Sequence, residues 1–188
     1  ITSRLVADLL KTAGVDRVVC VDLHASQIQG FFSCVVDEIT AIPLLSTHFY
    51  GKVQSDWVTV SPDHGGVNRA RKVAERLNTP IAIIDKRRSK PNEAEVMHII
   101  GDVKDKHCVM IDDIIDTAGS CSEGAKALLK AGAKSVRIAA THGIFSSPAR
   151  ERMIESDLFE EIVVTDSIPL KENMKNECTC GLSSDYFG

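Results

Sequence analysis

The chain has 188 residues, of which 44% are hydrophobic and 26% are charged, and its formal net charge is −4. These proportions are ordinary for a soluble globular protein, and the negative charge argues against a broad basic face for nucleic acid. No apolar run approaches the roughly 18 residues of a membrane span and no signal-peptide pattern opens the chain, so neither nucleic acid nor a membrane is expected as a partner.

Apolar residues recur with helical or strand periodicity along most of the chain. Helices are predicted at Thr2–Ala13, Val67–Leu77, Ser122–Ala131 and Ala149–Glu155. Strands are predicted at Arg17–Leu23, Val58–Ser61, Ile81–Ile84, Cys108–Ile111, Ser135–Ala140 and Glu161–Thr165. Leu5, Val6 and Leu9 fall on one apolar face of the first helix, and Arg69 is expected on the outward face of the second. Strands alternating with helices predict an α/β fold with a mostly parallel sheet and helices on both of its faces.

The six cysteines are scattered along the chain, which favours a reduced, cytoplasmic protein. Cys178 and Cys180 form a single C-x-C pair without a matching second pair, so no metal site is expected there. The chain opens at Ile1 on a helix-like segment with no preceding strand. We therefore expect a fragment that lacks an N-terminal part.

Polar or charged residues directly follow most of the predicted strands. Because such sheets bind ligands beyond the carboxyl ends of their strands, these residues are candidates for a binding site. They include Asp22 and His24, Asp63, the basic run Lys86–Arg88, and the acid pair Asp112–Asp113. Loops are polar in any case, and that explains about half of these positions. It explains the acid pair and the basic run less well.

The segment Asp116–Ser120 lies between a predicted strand and a predicted helix. Small residues there allow backbone N–H groups to converge on an anion, and the helix dipole adds to the attraction. Thr117 and Ser120 can donate hydroxyl hydrogen bonds to phosphate oxygens. The segment lacks the G-x-x-x-x-G-K-[ST] and G-x-G-x-x-G patterns, so neither a nucleoside-triphosphate P-loop nor a dinucleotide-binding fold is expected.

The adjacent carboxylates of Asp112 and Asp113 require a partner other than a phosphate. They can accept hydrogen bonds from vicinal sugar hydroxyls, or hold a hydrated Mg²⁺ that bridges to such a diol. A sugar phosphate would satisfy both halves of the motif.

This combination resembles the ribose-5-phosphate loop of type I phosphoribosyltransferases and ribose-phosphate diphosphokinases. Further segments, in the same order, resemble the diphosphokinases in particular. They are VDLHASQIQGFF (Val21–Phe32), VSPDHGGVNRARKVAERL (Val60–Leu77), AIIDKRR (Ala82–Arg88), EVMHIIGDV (Glu95–Val103) and THGIFSSPA (Thr141–Ala149). The resemblance covers the chain to about Leu170.

The resemblance implies transfer of diphosphate from MgATP to the 1-hydroxyl of ribose 5-phosphate, which gives phosphoribosyl pyrophosphate and AMP. It implies that Lys86 and Arg88 are catalytic, and that Mg²⁺ is bound at His24 and Asp63 with help from Asp22. The ribose 5-phosphate residues would be Asp112, Asp113, Asp116, Thr117, Ala118, Gly119 and Ser120. It also implies a homo-oligomer, either a dimer or a hexamer.

The resemblance further assigns residues 1–42 to the end of a first phosphoribosyltransferase-like domain and 43–170 to a second. Residues 171–188 depart from the family pattern, and its ATP-binding aromatic-Arg-Gln-Asp-Arg run is absent. We therefore expect the chain to bind ribose 5-phosphate better than ATP, and whether it is active alone stays open. His64 stands where the family usually has a small or apolar residue.

Two alternatives stay open. A type I phosphoribosyltransferase would consume phosphoribosyl pyrophosphate, and would not require the DLHASQIQGFF and DKRR segments. A non-catalytic regulatory partner of the synthetase would depart from the catalytic motifs, whereas Lys86, Arg88 and Asp112–Ser120 are intact.

Overall fold

The computed structural model describes residues 2–87 and 96–182, with backbone alone for Arg87, Val96 and 180–182. The chain divides into two compact units, the first ending at Ala41 and the second beginning at Ile42. This division lies one residue from the predicted domain boundary. The assignment of the two parts to particular domains stays a prediction.

The first unit contains helix α1 (Thr2–Thr12) and strands β1 (Arg17–Val21) and β2 (Val35–Ile39). The two strands pair in parallel, from Arg17↔Val35 to Val21↔Ile39. A 3₁₀ turn at Ser26–Phe31 lies between them in sequence. Strand β2 was not predicted. The apolar face of α1 is exposed, with exposed fractions of 58% for Leu5, 47% for Val6 and 60% for Leu9.

The second unit is built on one seven-stranded sheet in the order β5-β4-β3-β6-β7-β8-β9. Its strands are β3 (Trp57–Ser61), β4 (Ile81–Arg87), β5 (Val96–Ile100), β6 (His107–Ile115), β7 (Ser135–Gly143), β8 (Glu161–Thr165) and β9 (Thr179–Leu182). Its helices are α2 (Ile42–Phe49), α3 (Val67–Leu77), α4 (Gly119–Lys130) and α5 (Ala149–Met153). All strand pairs are parallel except β4 with β5, which confirms the predicted fold class.

Alternate residues of each central strand pack against different layers. Val58 and Val60 belong to the apolar cluster that includes Leu128 of α4 and Met153 of α5. Trp57 points the other way, with its ring centroid 6.3 Å from that of Phe49 in α2. Doubly covered strands explain the continuous apolar runs in the sequence. Among the described residues, no helix combines the length and apolarity needed to cross a bilayer.

In the second unit, the helices and strands that the periodicity missed are α2, β5 and β9. Helix α2 reads IPLLSTHF and lacks a polar face, because most of its residues are buried. Strands β5 and β9 lie at the two edges of the sheet, and β9 (TCGL) has little apolar content. Strands β6 and β7 also run farther than predicted, to Ile115 and Gly143. Pairing with neighbouring strands, rather than local pattern, sets these limits.

A group of charged side chains lies at the amino ends of β7 and β8. Glu161 Oε1 is 2.7 Å from His48 Nε2 and accepts a hydrogen bond from Lys52 Nζ at 2.9 Å. Burial alone would raise the pKa of Glu161, but the hydrogen bonds from Lys52 and His48 lower it. Nearby, the Arg137 guanidinium lies 4.4 Å from the centre of the Trp57 ring. The contact between His48 and Glu161 fastens α2 to the sheet at the amino end of β8.

Gly101 provides a test of packing at the end of β5. It has a φ of +107°, and a Cβ there would lie 3.0 Å from the backbone of Ala82. Gly51 has a φ of +81°, but a Cβ there would have no atom within 4 Å. A substitution at Gly51 therefore costs only the unfavourable backbone conformation. We expect Gly51→Ala to lower the free energy of unfolding by about 1 kcal/mol, and Gly101→Ala by at least ~1 kcal/mol more. Urea denaturation measures both, and equal losses would contradict the close approach.

Candidate functional site

The strand order places a switch point between β3 and β6. These strands are neighbours, but the chain leaves β3 through α3 towards β4 and leaves β6 through α4 towards β7. The two connections diverge, which opens a crevice at the carboxyl ends of the strands. The loop that contains Asp63 directly follows β3. The segment Asp112–Ser120 comprises the end of β6, the loop after it and the start of α4. The predicted ribose 5-phosphate segment therefore lies where this fold binds ligands.

The junction of β6 and α4 forms a short loop with exposed hydroxyl groups, and we call Asp116–Ser120 the phosphate loop. Ala118 has φ 59° and ψ 12°, a left-handed conformation, and no side chain caps the start of α4. The first N–H groups of a helix have no partner within it, so they are available to an anion. Thr117 and Ser120 are both exposed. Helix α4 starts at Gly119 instead of the predicted Ser122, because Gly and Ser are weak helix formers that gave no early signal.

The acid pair lies at the end of β6 with its side chains mostly buried. The exposed fraction of the side chain is 23% for Asp112 and 5% for Asp113. Asp112 Oδ1 accepts a hydrogen bond from the Asp113 N–H at 2.9 Å. Arg69 Nη1 lies 3.5 Å from one oxygen of each carboxylate. The guanidinium therefore balances part of the charge of the pair.

The prediction that Arg69 points outward was wrong, because only 14% of its side chain is exposed. Arg69 is the third residue of α3, four residues before the buried Val73 and eight before the buried Leu77. That spacing puts all three on one face of the helix. This spacing could be seen in the sequence, but a charged residue in the first turn of a helix is ordinarily expected to face solvent.

The Asp112 carboxyl is unusually easy to protonate. Its pKa is raised to about 7, first by burial and then by hydrogen bonding and repulsion from Asp113, with Arg69 opposing the shift. A ligand that donates hydrogen bonds to this carboxylate, as a sugar diol does, would stabilise its ionised form.

Lys86 reaches the phosphate loop from β4. Its Nζ donates a hydrogen bond to Ser120 Oγ at 2.6 Å. The structure therefore brings one of the two predicted catalytic residues into contact with the predicted phosphate site. Arg88, the other, lies outside the described residues. The roles of both residues stay predictions.

The loop after β3 is held by its own polar groups. Asp63 Oδ1 accepts the Gly66 N–H at 2.8 Å, and the Asp63 carbonyl accepts the Ser61 hydroxyl at 2.7 Å. His64 Nε2 lies 2.8 Å from Oδ1 of the buried Asp85. His64 had no predicted role. It joins this loop to β4 at the residue directly before Lys86.

The predicted metal residues divide between the two units. In the first unit, Asp22 Oδ2 accepts the Ala41 N–H at 2.9 Å, and His24 is exposed. Asp63, in the second unit, is also exposed. Among residues 2–87 and 96–182, no three His, Cys, Asp or Glu side chains form a group that could hold a metal. The metal role of these residues stays a prediction.

Comparison with known proteins fits this arrangement. The family model for the phosphoribosyl transferase domain matches residues 36–173. The chain is 56% identical over 175 residues to the ribose-phosphate pyrophosphokinase of Bacillus caldolyticus, covering 93% of this chain and 55% of the relative. It is 54% identical over 177 residues to that of Bacillus subtilis, covering 94% and 56%. The chain thus spans little more than half the length of these curated relatives.

Among solved structures, the chain is similar to the phosphoribosylpyrophosphate synthetase from Mycobacterium smegmatis. The TM-score is 0.83 at 45% identity, covering 93% of this chain and 56% of that one. Fold and site together define an α/β protein with a short loop of exposed hydroxyl groups and an uncapped helix start at the switch point of its sheet. The chain belongs to the phosphoribosyl transferase domain family.

The raised pKa of Asp112 has a consequence for stability. The folded protein binds a proton at this carboxyl that the unfolded chain has already released, so stability falls as the pH rises from about 4 to about 7. Because one pKa unit corresponds to about 1.4 kcal/mol, we expect Asp112→Asn to gain more than ~1 kcal/mol relative to the wild type between pH 4 and pH 8. Urea unfolding at both pH values measures this. A pH-independent difference would show that the carboxyl titrates normally.

Proposed function

We propose that this chain carries the ribose 5-phosphate site of a ribose-phosphate diphosphokinase. One observation carries the proposal: the hydrogen bond from Lys86 Nζ to Ser120 Oγ, which joins a cation of one strand to the anion-binding loop of another. The relatives' printed names and the similarity over most of the chain support the same function.

The site offers complementary groups to each end of the sugar phosphate. The 5-phosphate would accept hydrogen bonds from backbone N–H groups of the phosphate loop and from the Thr117 and Ser120 hydroxyls. The ring hydroxyls would donate to Asp112 and Asp113. A phosphate alone would make no use of the two carboxylates, and a free sugar would make no use of the loop. A sugar monophosphate is therefore the ligand class that suits both.

In the proposed reaction, the 1-hydroxyl oxygen of ribose 5-phosphate attacks the β-phosphorus of ATP. The new bond joins that oxygen to the β-phosphorus, and the bond from the β-phosphorus to the oxygen of the α-phosphate breaks. AMP leaves with that oxygen, and the hydroxyl proton passes to solvent. Such transfers depend on positioning and on neutralising phosphoryl charge. We assign this neutralisation to the cationic side chains of Lys86 and Arg88.

Mg²⁺ would accompany ATP as the cofactor. Carboxylate oxygens are ligands that Mg²⁺ prefers, and Asp63 presents an exposed carboxylate with one oxygen held by the Gly66 N–H. We propose Asp63 as a Mg²⁺ ligand from the second unit, and His24, assisted by Asp22, as a Mg²⁺ ligand from the first. The ion would supply charge neutralisation on the ATP phosphates. We also propose a cytoplasmic homo-oligomer, a dimer or a hexamer.

The first expected result concerns sugar binding by the chain itself. In calorimetry, we expect heat with ribose 5-phosphate and none with ribose at the same concentration. Removing both hydroxyls with Thr117→Ala and Ser120→Ala should weaken ribose 5-phosphate at least tenfold, since two phosphate donors are lost. Absence of heat from the wild type with the sugar phosphate would end the proposal.

The second expected result concerns catalysis, measured on the intact gene product as AMP formed from ATP in the presence of ribose 5-phosphate. We expect Lys86→Met to reduce kcat at least 100-fold, since a cation that faces the transferring group is lost. The matched control is Lys72→Met, which removes an exposed lysine of α3. An assay with a purine base and phosphoribosyl pyrophosphate tests the phosphoribosyltransferase alternative. Equal activity of the two lysine variants would contradict the role of Lys86.

A further inference from the structure

We infer that Arg152 of α5 is a positioning residue that fixes the phosphate loop in its anion-binding conformation. The inference rests on the proposed function in taking a sugar phosphate as the ligand. Arg152 is not part of any motif described above, and it lies 32 residues beyond Ser120 along the chain. Only the fold brings it to the loop.

The contact is a hydrogen bond from Arg152 Nη1 to the carbonyl oxygen of Thr117 at 2.9 Å. In a trans peptide the C=O of one residue and the N–H of the next point in opposite directions. By holding the Thr117 carbonyl, Arg152 therefore turns the Ala118 N–H away from itself, to the opposite side of the peptide plane. Ala118 is also the residue in the left-handed conformation, where a turned peptide contributes to an anion-binding concavity.

Arg152 is itself held in place on the body of the protein. Its carbonyl accepts a hydrogen bond from the hydroxyl of Ser122 in α4 at 3.2 Å, and Ser122 is only 3% exposed. Ala149 and Met153 of the same helix are almost fully buried in the core. The exposed side chain of Arg152 therefore reaches the loop from an anchored helix.

The guanidinium also contributes charge close to the loop. A Cβ added at Gly119 would lie 3.2 Å from Arg152 Nη1, so the two groups approach closely only because residue 119 is glycine. Within the described part of the chain, Arg152 forms no ion pair with a carboxylate. Its charge adds to the attraction of the α4 amino terminus for a phosphate.

The test compares Arg152→Met with Arg150→Met. Arg150 belongs to the same helix but pairs with Glu155 and Glu177, so it controls for loss of an arginine from α5. A pocket of about 420 Å³ borders Arg152, Gly119 and Ser122, so a methionine at position 152 can be accommodated without overpacking. We expect Arg152→Met to weaken ribose 5-phosphate about tenfold and Arg150→Met less than twofold. In the intact gene product, Arg152→Met should raise KM for ribose 5-phosphate without changing kcat or KM for ATP.

Two further measurements keep the inference falsifiable. Arg152→Lys keeps a donor and a charge, so it should recover part of the affinity, and it replaces Arg152→Met if that variant does not fold. The ¹H–¹⁵N signal of the Ala118 amide should move in Arg152→Met without any ligand, and stay in place in Arg150→Met. Wild-type affinity in both Arg152 variants, or an unmoved Ala118 signal, would overturn the inference. If the wild type itself binds no ribose 5-phosphate, the proposed function fails, and the Ala118 signal alone decides on the contact.

Discussion

An electrostatic conflict governs this molecule: one strand–loop–helix segment carries both a buried acid pair and a loop suited to anions. The described structure resolves it with cations from three different elements. Arg69 of α3 lies against the carboxylates, Lys86 of β4 donates to Ser120, and Arg152 of α5 donates to the carbonyl of Thr117. Strand β6 occupies the middle of the sheet, so neighbours on both sides can reach its carboxyl end. An edge strand could not collect cations from two directions.

The packing of the sheet fixes the register of β6 and therefore the position of the acid pair. Met110 and Ile111 of β6 are fully buried on opposite faces, and Ile138 and Ala139 of β7 repeat the pattern beside them. A slip of β6 by one residue would exchange the side chains that face its two apolar layers and could carry Asp112 into a fully buried position. The same register places both carboxylates beside Arg69. The register that packs the core is thus the same register that positions the site.

The sequence predicted the parts whose signals are local. Helix α3 was predicted from Val67 to Leu77 and has those limits, because an amphipathic stretch ends at Asn78 in a left-handed conformation. The acid pair and the loop are contiguous, so their order alone carried the interpretation. Arg152 was missed because its partner is distant in the chain, and the contact between Lys86 and Ser120 could be expected only from the family resemblance. Edge strands β5 and β9 were missed because pairing defines them more than composition does.

The amino ends and the carboxyl ends of the strands have different roles. At the amino ends of the strands, Glu161 ties β8 to His48 and Lys52, and Arg137 stacks on Trp57. At the carboxyl ends, comparable charges lie around the acid pair and the loop Asp116–Ser120. Natural variation at the first end would change how much heat the protein withstands while leaving its choice of ligand intact. Substitutions at the carboxyl ends could change the ligand preference with little loss of thermal resistance, so the same scaffold can support different reactions.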